Sequence, residues 1–183
     1  MKWIKTILLA LIMTNTACAQ EFEKDTFKTP SGKEIEIYAI KHGSMRIVFD
    51  GKEIEVDPVE ALEPATDYSL LPKADFILNT TPAHTKFHPK GRDNGFVLSL
   101  DGFRIYIAGD TENIEEMKDL KNIDVAFLPT NQPFTMTPEQ TSKAASIIKP
   151  KVLFPYHYGE TQINKVEELL KGSGIEVRIR NYQ

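Results

Sequence analysis

Cysteine is almost missing from this chain: there is one, Cys18, in 183 residues. Long apolar runs are missing too, since the unbroken stretch Ile7 to Met13 is too short to span a bilayer. There is no excess of positive charge, with 22 basic side chains against 26 acidic ones. That balance excludes a basic nucleic-acid-binding face and attraction to an anionic membrane. No low-complexity tract or linker divides the sequence, so a single domain is expected over residues 20–183.

What is present begins with MKWIKTILLALIMTNTACAQ. Lys2 and Lys5 make a basic start, the apolar run follows, and Ala17-Cys18-Ala19 supplies small residues for cleavage after Ala19. Residues 1–19 are therefore expected to be a secretory signal, with the product periplasmic or secreted. The alternative is lipid anchoring at Cys18, but Asn15 stands where a lipoprotein wants a large apolar residue. Loss of Lys2 and Lys5 leaves 20 basic side chains against 26 acidic, about six negative charges net. Loss of Cys18 excludes a disulfide scaffold, so any metal site must use histidine and carboxylate.

The strand KEIEIYAI (33–40) alternates apolar and polar residues. Two hairpins follow the same device. RIVFDGKEIEVD (46–57) turns at Asp50-Gly51, and GFVLSLDGFRIYIAGD (95–110) turns at Asp101-Gly102. Superposing the turns places Ile54 on Ile105 and Val56 on Ile107, a faint internal repeat whose returning strands end at Asp57 and Asp110. Downstream come a short helix over 113–120, a buried strand over 123–129, and a strand over 151–159 that runs into a loop. Between those strands lies a helix to Lys149, capped by Thr137 with Pro138 and Gln140 behind it. A helix over 162–171 and a strand over 175–180 close the chain. Hairpins first and strand–helix–strand units after them specify an α/β layered protein.

Ligand sites in such sheets gather beyond the carboxyl ends of strands. If the strands before Gly109-Asp110 and Tyr156-His157-Tyr158 are parallel neighbours, Asp110 and His157 meet, a carboxylate and an imidazole suited to a metal. Each also has a plainer role, Asp110 as a helix cap and His157 as a hydrogen-bonded structural histidine. His42 sits in a turn. His84 and His88 have helical spacing, yet Pro82 and Pro89 flank them and argue for a loop. Lys86, Lys90 and Arg92 offer charge for an anion.

The runs IYIAGDTENIEEMKDLKNIDVAFLP, TMTPEQ and IIKPKVLFPYHYG, with HGSMRIVFDGKEIEVDP before them, resemble a metallo-β-lactamase-fold hydrolase. The closer likeness is to the branch that includes the ascorbate phosphate lactonases. The resemblance implies an αββα sandwich of mixed sheets flanked by helices. It also implies metal roles and catalytic roles for Asp110 and His157. One departure stands out. The family follows a strand like ADFIL with Thr-His-x-His-x-Asp-His, and here ADFIL is followed by NTTPAHTK. Read as substitutions, Thr81, Ala83, Thr85 and Lys86 replace four ligands. Read as an internal deletion near residues 78–80, FHPKGRDNGF matches a later family loop, and this second reading is preferred. The sandwich is then incomplete and the metal site depleted.

His88, Asp110 and His157 remain as candidate ligands for one zinc or manganese ion. Lys90, Arg92, Asn131 and Tyr156 are candidate substrate or anion contacts, and His42, Asp57 and Thr111 candidate supports around the ligands. The expected partner is a small-molecule substrate or anion, with a homodimer through an exposed sheet edge as a further expectation. The competing expectation is an inactive relic that binds an anion or a partner.

Overall fold

The computed structural model describes residues 21–62, 65–80 and 94–182. Alternating strands and two tight turns build the first sheet: β1 (Lys24–Lys28), β2 (Glu34–Lys41), β3 (Ser44–Phe49), β4 (Lys52–Val56) and β5 (Phe76–Leu78). They lie in that order, antiparallel through β4, with β5 added parallel to β4. The second sheet runs β10 (Glu176–Val177), β9 (Val152–Tyr156), β8 (Val125–Pro129), β7 (Phe103–Ile107), β6 (Phe96–Leu100). Its β6–β7 pair is antiparallel and the rest are parallel.

Both expected hairpins form. Phe49 faces Lys52 across Asp50-Gly51, and Leu100 faces Phe103 across Asp101-Gly102. All four turn residues have positive φ, as a two-residue hairpin turn requires. β1 was not foreseen from sequence, since KDTFK has a single fully buried position. The short helix expected at 113–120 is a 3-10 turn over Glu115–Asp119. The last strand keeps only two ladder residues where six were expected.

The sheets pack face to face. Ile35, Ile37, Met45, Ile47, Ile54 and Val56 meet Phe103, Ile105, Ile107, Val125, Phe127 and Phe154 in one apolar core. Burying each such side chain contributes about 1.5–3 kcal/mol. The outer face of the second sheet is covered by α1 (Pro138–Ile148) and α2 (Asn164–Leu169), which bury Ala144, Ala145, Ile148 and Val166 on Ala126, Leu128 and Leu153. α1 carries the expected capping box, with Thr137 and Gln140 each bonded to the other's backbone. None of the helices is long and apolar enough to cross a membrane, among the described residues.

The first sheet has no helix on its outer face among the described residues. Residues 58–62 and 65–74 run there instead, pinned by the Tyr68 hydroxyl, which accepts from Val59 N (3.1 Å) and bonds to Ser44. Glu55 points to this outer side, only 4% exposed, and neither of its carboxyl oxygens has a hydrogen-bond partner among the described residues. Among the described residues no strand pairs with β5 on its far side, where Phe76 is 57% and Ile77 58% exposed. At the opposite edge the two sheets are tied by charge. Asp25 on β1, only 7% exposed, accepts from Arg178 Nη1 (2.8 Å), Arg180 Nε (2.8 Å) and Arg180 Nη2 (2.7 Å).

Candidate functional site

The site forms where strands of both sheets stop at one end of the sandwich. β7 ends at Ile107, and Gly109 then turns the chain at φ +68°. A Cβ on Gly109 would lie 2.7 Å from Thr80 Cβ, so no other residue fits there without displacing β5's exit. The Gly109 N–H donates to the Tyr156 hydroxyl (3.1 Å) at the end of β9. His157 follows, at φ +48°, and its N–H donates to the His42 carbonyl (3.2 Å). These turns carry two side chains across the end of β8, and Asp110 Oδ1 comes to 2.6 Å from His157 Nδ1. The strands bearing them are not neighbours, because β8 lies between, and Thr130 leaves the site with its N–H on the Tyr156 carbonyl.

The first sheet supplies the other wall. His42 and Gly43 form the β2–β3 turn, and the His42 and His157 rings meet at 3.8 Å between centroids, tilted by 61°. β4 ends at Asp57, whose carboxylate accepts from Thr80 N (2.6 Å) and from the Thr80 hydroxyl, while Ser44 donates to the Asp57 carbonyl. His42, Asp57 and His157 all hold φ between +44° and +57°. Non-glycine residues in this region cost about 1–3 kcal/mol each and collect at functional sites.

Together these groups surround a cavity of about 390 Å³ lined by His42, Ser44, Asp57, Thr80, Asp110 and His157 among others. Its size lies in the range of small-molecule sites. His157, 9% exposed, is the most deeply buried of the histidines and carboxylates that line the cavity. Burial, and then the His157 ring, lower the His42 pKa from 6.5 to about 4, so His42 is neutral near pH 7. Burial holds the Tyr156 phenol well above its ordinary value, and it remains a protonated donor. A carboxylate only accepts, so against Asp110 the His157 Nδ1 carries the proton.

The structure thus brings together Asp110, His157, His42 and Asp57 of the residues singled out in the sequence. Tyr156 lines the cavity, but its hydroxyl is committed to Gly109 and its side chain is buried. Thr111 turns away, its hydroxyl on the Glu112 carbonyl, and Asn131 lies against Gly159 while its backbone closes a turn with Phe134 and Thr135. His84, His88, Lys90 and Arg92 lie outside the described residues. Sequence reading passed over Thr80 and Ser44. A threonine two residues past an apolar strand gives no signal until Asp57 is seen to grip it.

Imidazole and carboxylate suit zinc or manganese. A catalytic zinc takes three protein ligands and keeps one open position. Among the described residues no group of three or more His, Cys, Asp or Glu side chains is placed to hold an ion. Asp110 and His157 by themselves are one ligand short of a catalytic zinc site.

The family described as the β-lactamase superfamily domain matches residues 75–157, which span β5 to His157. A UPF0173 metal-dependent hydrolase of Symbiobacterium thermophilum is 38% identical over 111 residues, covering 57% of this chain and 48% of that protein. A second, from Deinococcus radiodurans, is 31% identical over 116 residues, covering 56% and 50%. The chain spans about half the length of the curated relatives it matches. Among solved structures, a protein of Parabacteroides distasonis named as a metal-dependent hydrolase is 42% identical. It covers 89% of this chain and all of its own, with a TM-score of 0.81. A metallo hydrolase of Ignicoccus hospitalis, 18% identical with a TM-score of 0.69 over 81% of this chain and 95% of its own, shares the fold. The chain belongs with the Parabacteroides distasonis protein named as a metal-dependent hydrolase; its residues 75–157 match the β-lactamase superfamily domain, and it is similar over about half of its length to the UPF0173 metal-dependent hydrolases.

Proposed function

We propose that this protein is an exported hydrolase-fold member with a depleted metal site, the reaction class being hydrolysis of an ester, lactone or phosphodiester. The resemblance to the ascorbate phosphate lactonase branch supports an ester or lactone first. The observation that carries the reading is the Asp110–His157 contact of 2.6 Å facing a cavity of small-molecule size. A metal in this family's chemistry supplies an acidified water. The residues of this chain do the rest. Asp110 fixes the ring and tautomer of His157, whose Nε2 lone pair can take a proton or a ligand. His42 stays neutral beside it and adds no competing charge.

The test is paired. Metal content of the gently purified chain is measured together with hydrolysis of p-nitrophenyl acetate, an acyl lactone and bis(p-nitrophenyl) phosphate. About one metal per chain, with activity that His157→Ala removes, supports the reading. No metal and no activity above that variant defeats it. A second reading is favoured by the lack of a three-donor cluster among the described residues. In it the chain is an inactive module that binds a small anion in the same cavity. Its melting temperature would then ignore zinc and manganese, and a rise of several degrees with either metal would contradict it.

A further inference from the structure

A second cavity, of about 860 Å³, opens at the opposite end of the sandwich. It lies where β1 ends and where the parallel strands β8 and β9 begin, below the Asp101-Gly102 turn. Its lining is split by chemistry. Phe27, Phe103, Ile123, Ile148 and Val152 give an apolar interior. Lys28, Lys121, Lys149 and Lys151 stand around them, all exposed.

Charge in this cavity does not follow the chain as a whole, which is acidic. Asp124 is the one carboxylate in the described lining, and both its oxygens are taken. Oδ1 pairs with Lys151 Nζ (2.7 Å) and Oδ2 accepts from Arg104 N (2.8 Å). Asp101, at the lip, is held by the Thr29 hydroxyl (2.7 Å) and by Ser31. No salt bridge engages Lys28, Lys121 or Lys149 among the described residues. Lys121 is steered by its bond to the Lys118 carbonyl (2.6 Å), and Lys149 projects from the left-handed cap of α1 at φ +53°. Three cations therefore surround the pocket with no salt bridge among the described residues, while Asp101 at the lip keeps a negative charge held by hydroxyls.

We infer that this lower cavity binds a small organic anion with an apolar body, a single-chain or aromatic carboxylate, whose tail enters between Phe27, Phe103 and Ile148 and whose head meets Lys28, Lys121 and Lys149. The inference is independent of the Asp110–His157 site. A cavity of this size lies in the range of ligand sites, and it joins apolar side chains at its base to a polar, charged rim. Each exposed ion pair contributes little alone, so discrimination rests on three acting on one head group.

Decanoate, decanol and decyltrimethylammonium, each kept below micelle formation, are titrated against the purified chain by calorimetry. Decanoate is expected to bind one to one, and at least about tenfold more tightly than the cationic analogue, since three charge pairs of modest strength favour it. The triple variant Lys28→Gln/Lys121→Gln/Lys149→Gln should lose about tenfold for decanoate while decanol binding holds. A thermal melt confirms that the variant folds, and His157→Ala should bind decanoate as the parent does. Equal binding of the anionic and cationic chains would overturn the proposal. So would a triple variant that binds decanoate normally, a loss of binding in His157→Ala, or no binding at all. Phosphatidylglycerol vesicles form a further arm: retention on them without binding of free decanoate would point to a lipid surface and overturn the free-ligand assignment.

Discussion

Asp110 Oδ1 and His157 Nδ1 stand 2.6 Å apart although a whole strand, β8, separates the strands that carry them. The contact depends on two loops reaching over β8 from either side. Removal of the carboxylate frees the imidazole to turn and to change tautomer. Asp110→Ala should therefore lower metal affinity or turnover by about 10–100-fold. Melting temperature should change far less than activity. The check is a metal titration and a hydrolysis assay on the same preparation, and equal activity in both proteins would refute the role.

Gly109 has a tighter constraint than the hairpin glycines. At Gly51 (φ +73°) an added Cβ meets nothing within 4 Å, whereas at Gly109 it meets Thr80 at 2.7 Å. Gly51→Ala should cost about 1–2 kcal/mol, the left-handed penalty alone. Gly109→Ala should cost at least about 1 kcal/mol more, because overpacking adds to it. Urea denaturation of both variants measures the difference, and matching midpoints would show that the Thr80 contact yields freely.

Two buried groups pull the pH dependence of stability in opposite directions. Burial raises the Glu55 carboxyl from 4.5 to about 7. The folded state then holds its proton longer than the unfolded state, so the contribution is full below about pH 4.5 and is lost as pH rises to about 7. His42 is lowered from 6.5 to about 4, so its contribution is full above about 6.5 and falls on acidification towards 4. The slopes oppose one another over most of that window, and the parent protein should show a flat profile there. Glu55→Gln removes one of them. It should raise the melting temperature at pH 8, where the buried carboxylate is charged, and leave a profile that declines steadily as pH drops from 6.5. A variant that melts like the parent across pH 4 to 8 would show that Glu55 is not desolvated in solution.

Asp25 ties β1 to the C-terminal strand region through two arginines. Asp25→Ala removes the anion the two guanidiniums share and leaves Arg178 with its exposed partner Glu176. It should cost about 3 kcal/mol, as breaking a buried pair from one side does. Lys24→Ala breaks the exposed, solvent-screened pair with Glu36 and should cost clearly less. Denaturant midpoints compare the two, and similar losses would mean that burial of Asp25 adds nothing.

Much of this architecture was legible in the sequence because its signals are local. Asp-Gly turns need left-handed backbone, so both hairpins could be read from two dipeptides. Thr137, Pro138 and Gln140 announce a helix start in one short stretch, and the capping box is there. The meeting of Asp110 and His157 was legible as a consequence of strand ends on parallel strands. Other features are non-local. The strand β1 is recognisable only once Ile35 and Ile37 offer it an edge, and the grip of Asp57 on Thr80 spans 23 residues. The burial of Glu55 on the first sheet's outer side depends on what packs there from elsewhere in the chain, which no residue pattern states.

His42, Asp57 and His157 occupy backbone that an unconstrained chain would leave to glycine. Glycine at any of the three would relax the main chain while removing the side chain that faces the cavity. Improvement of this protein by heat resistance alone would thus work against its chemistry. Variants gathered by that route should accumulate replacements at these positions, and the pattern of what they discard would map the working end of the molecule.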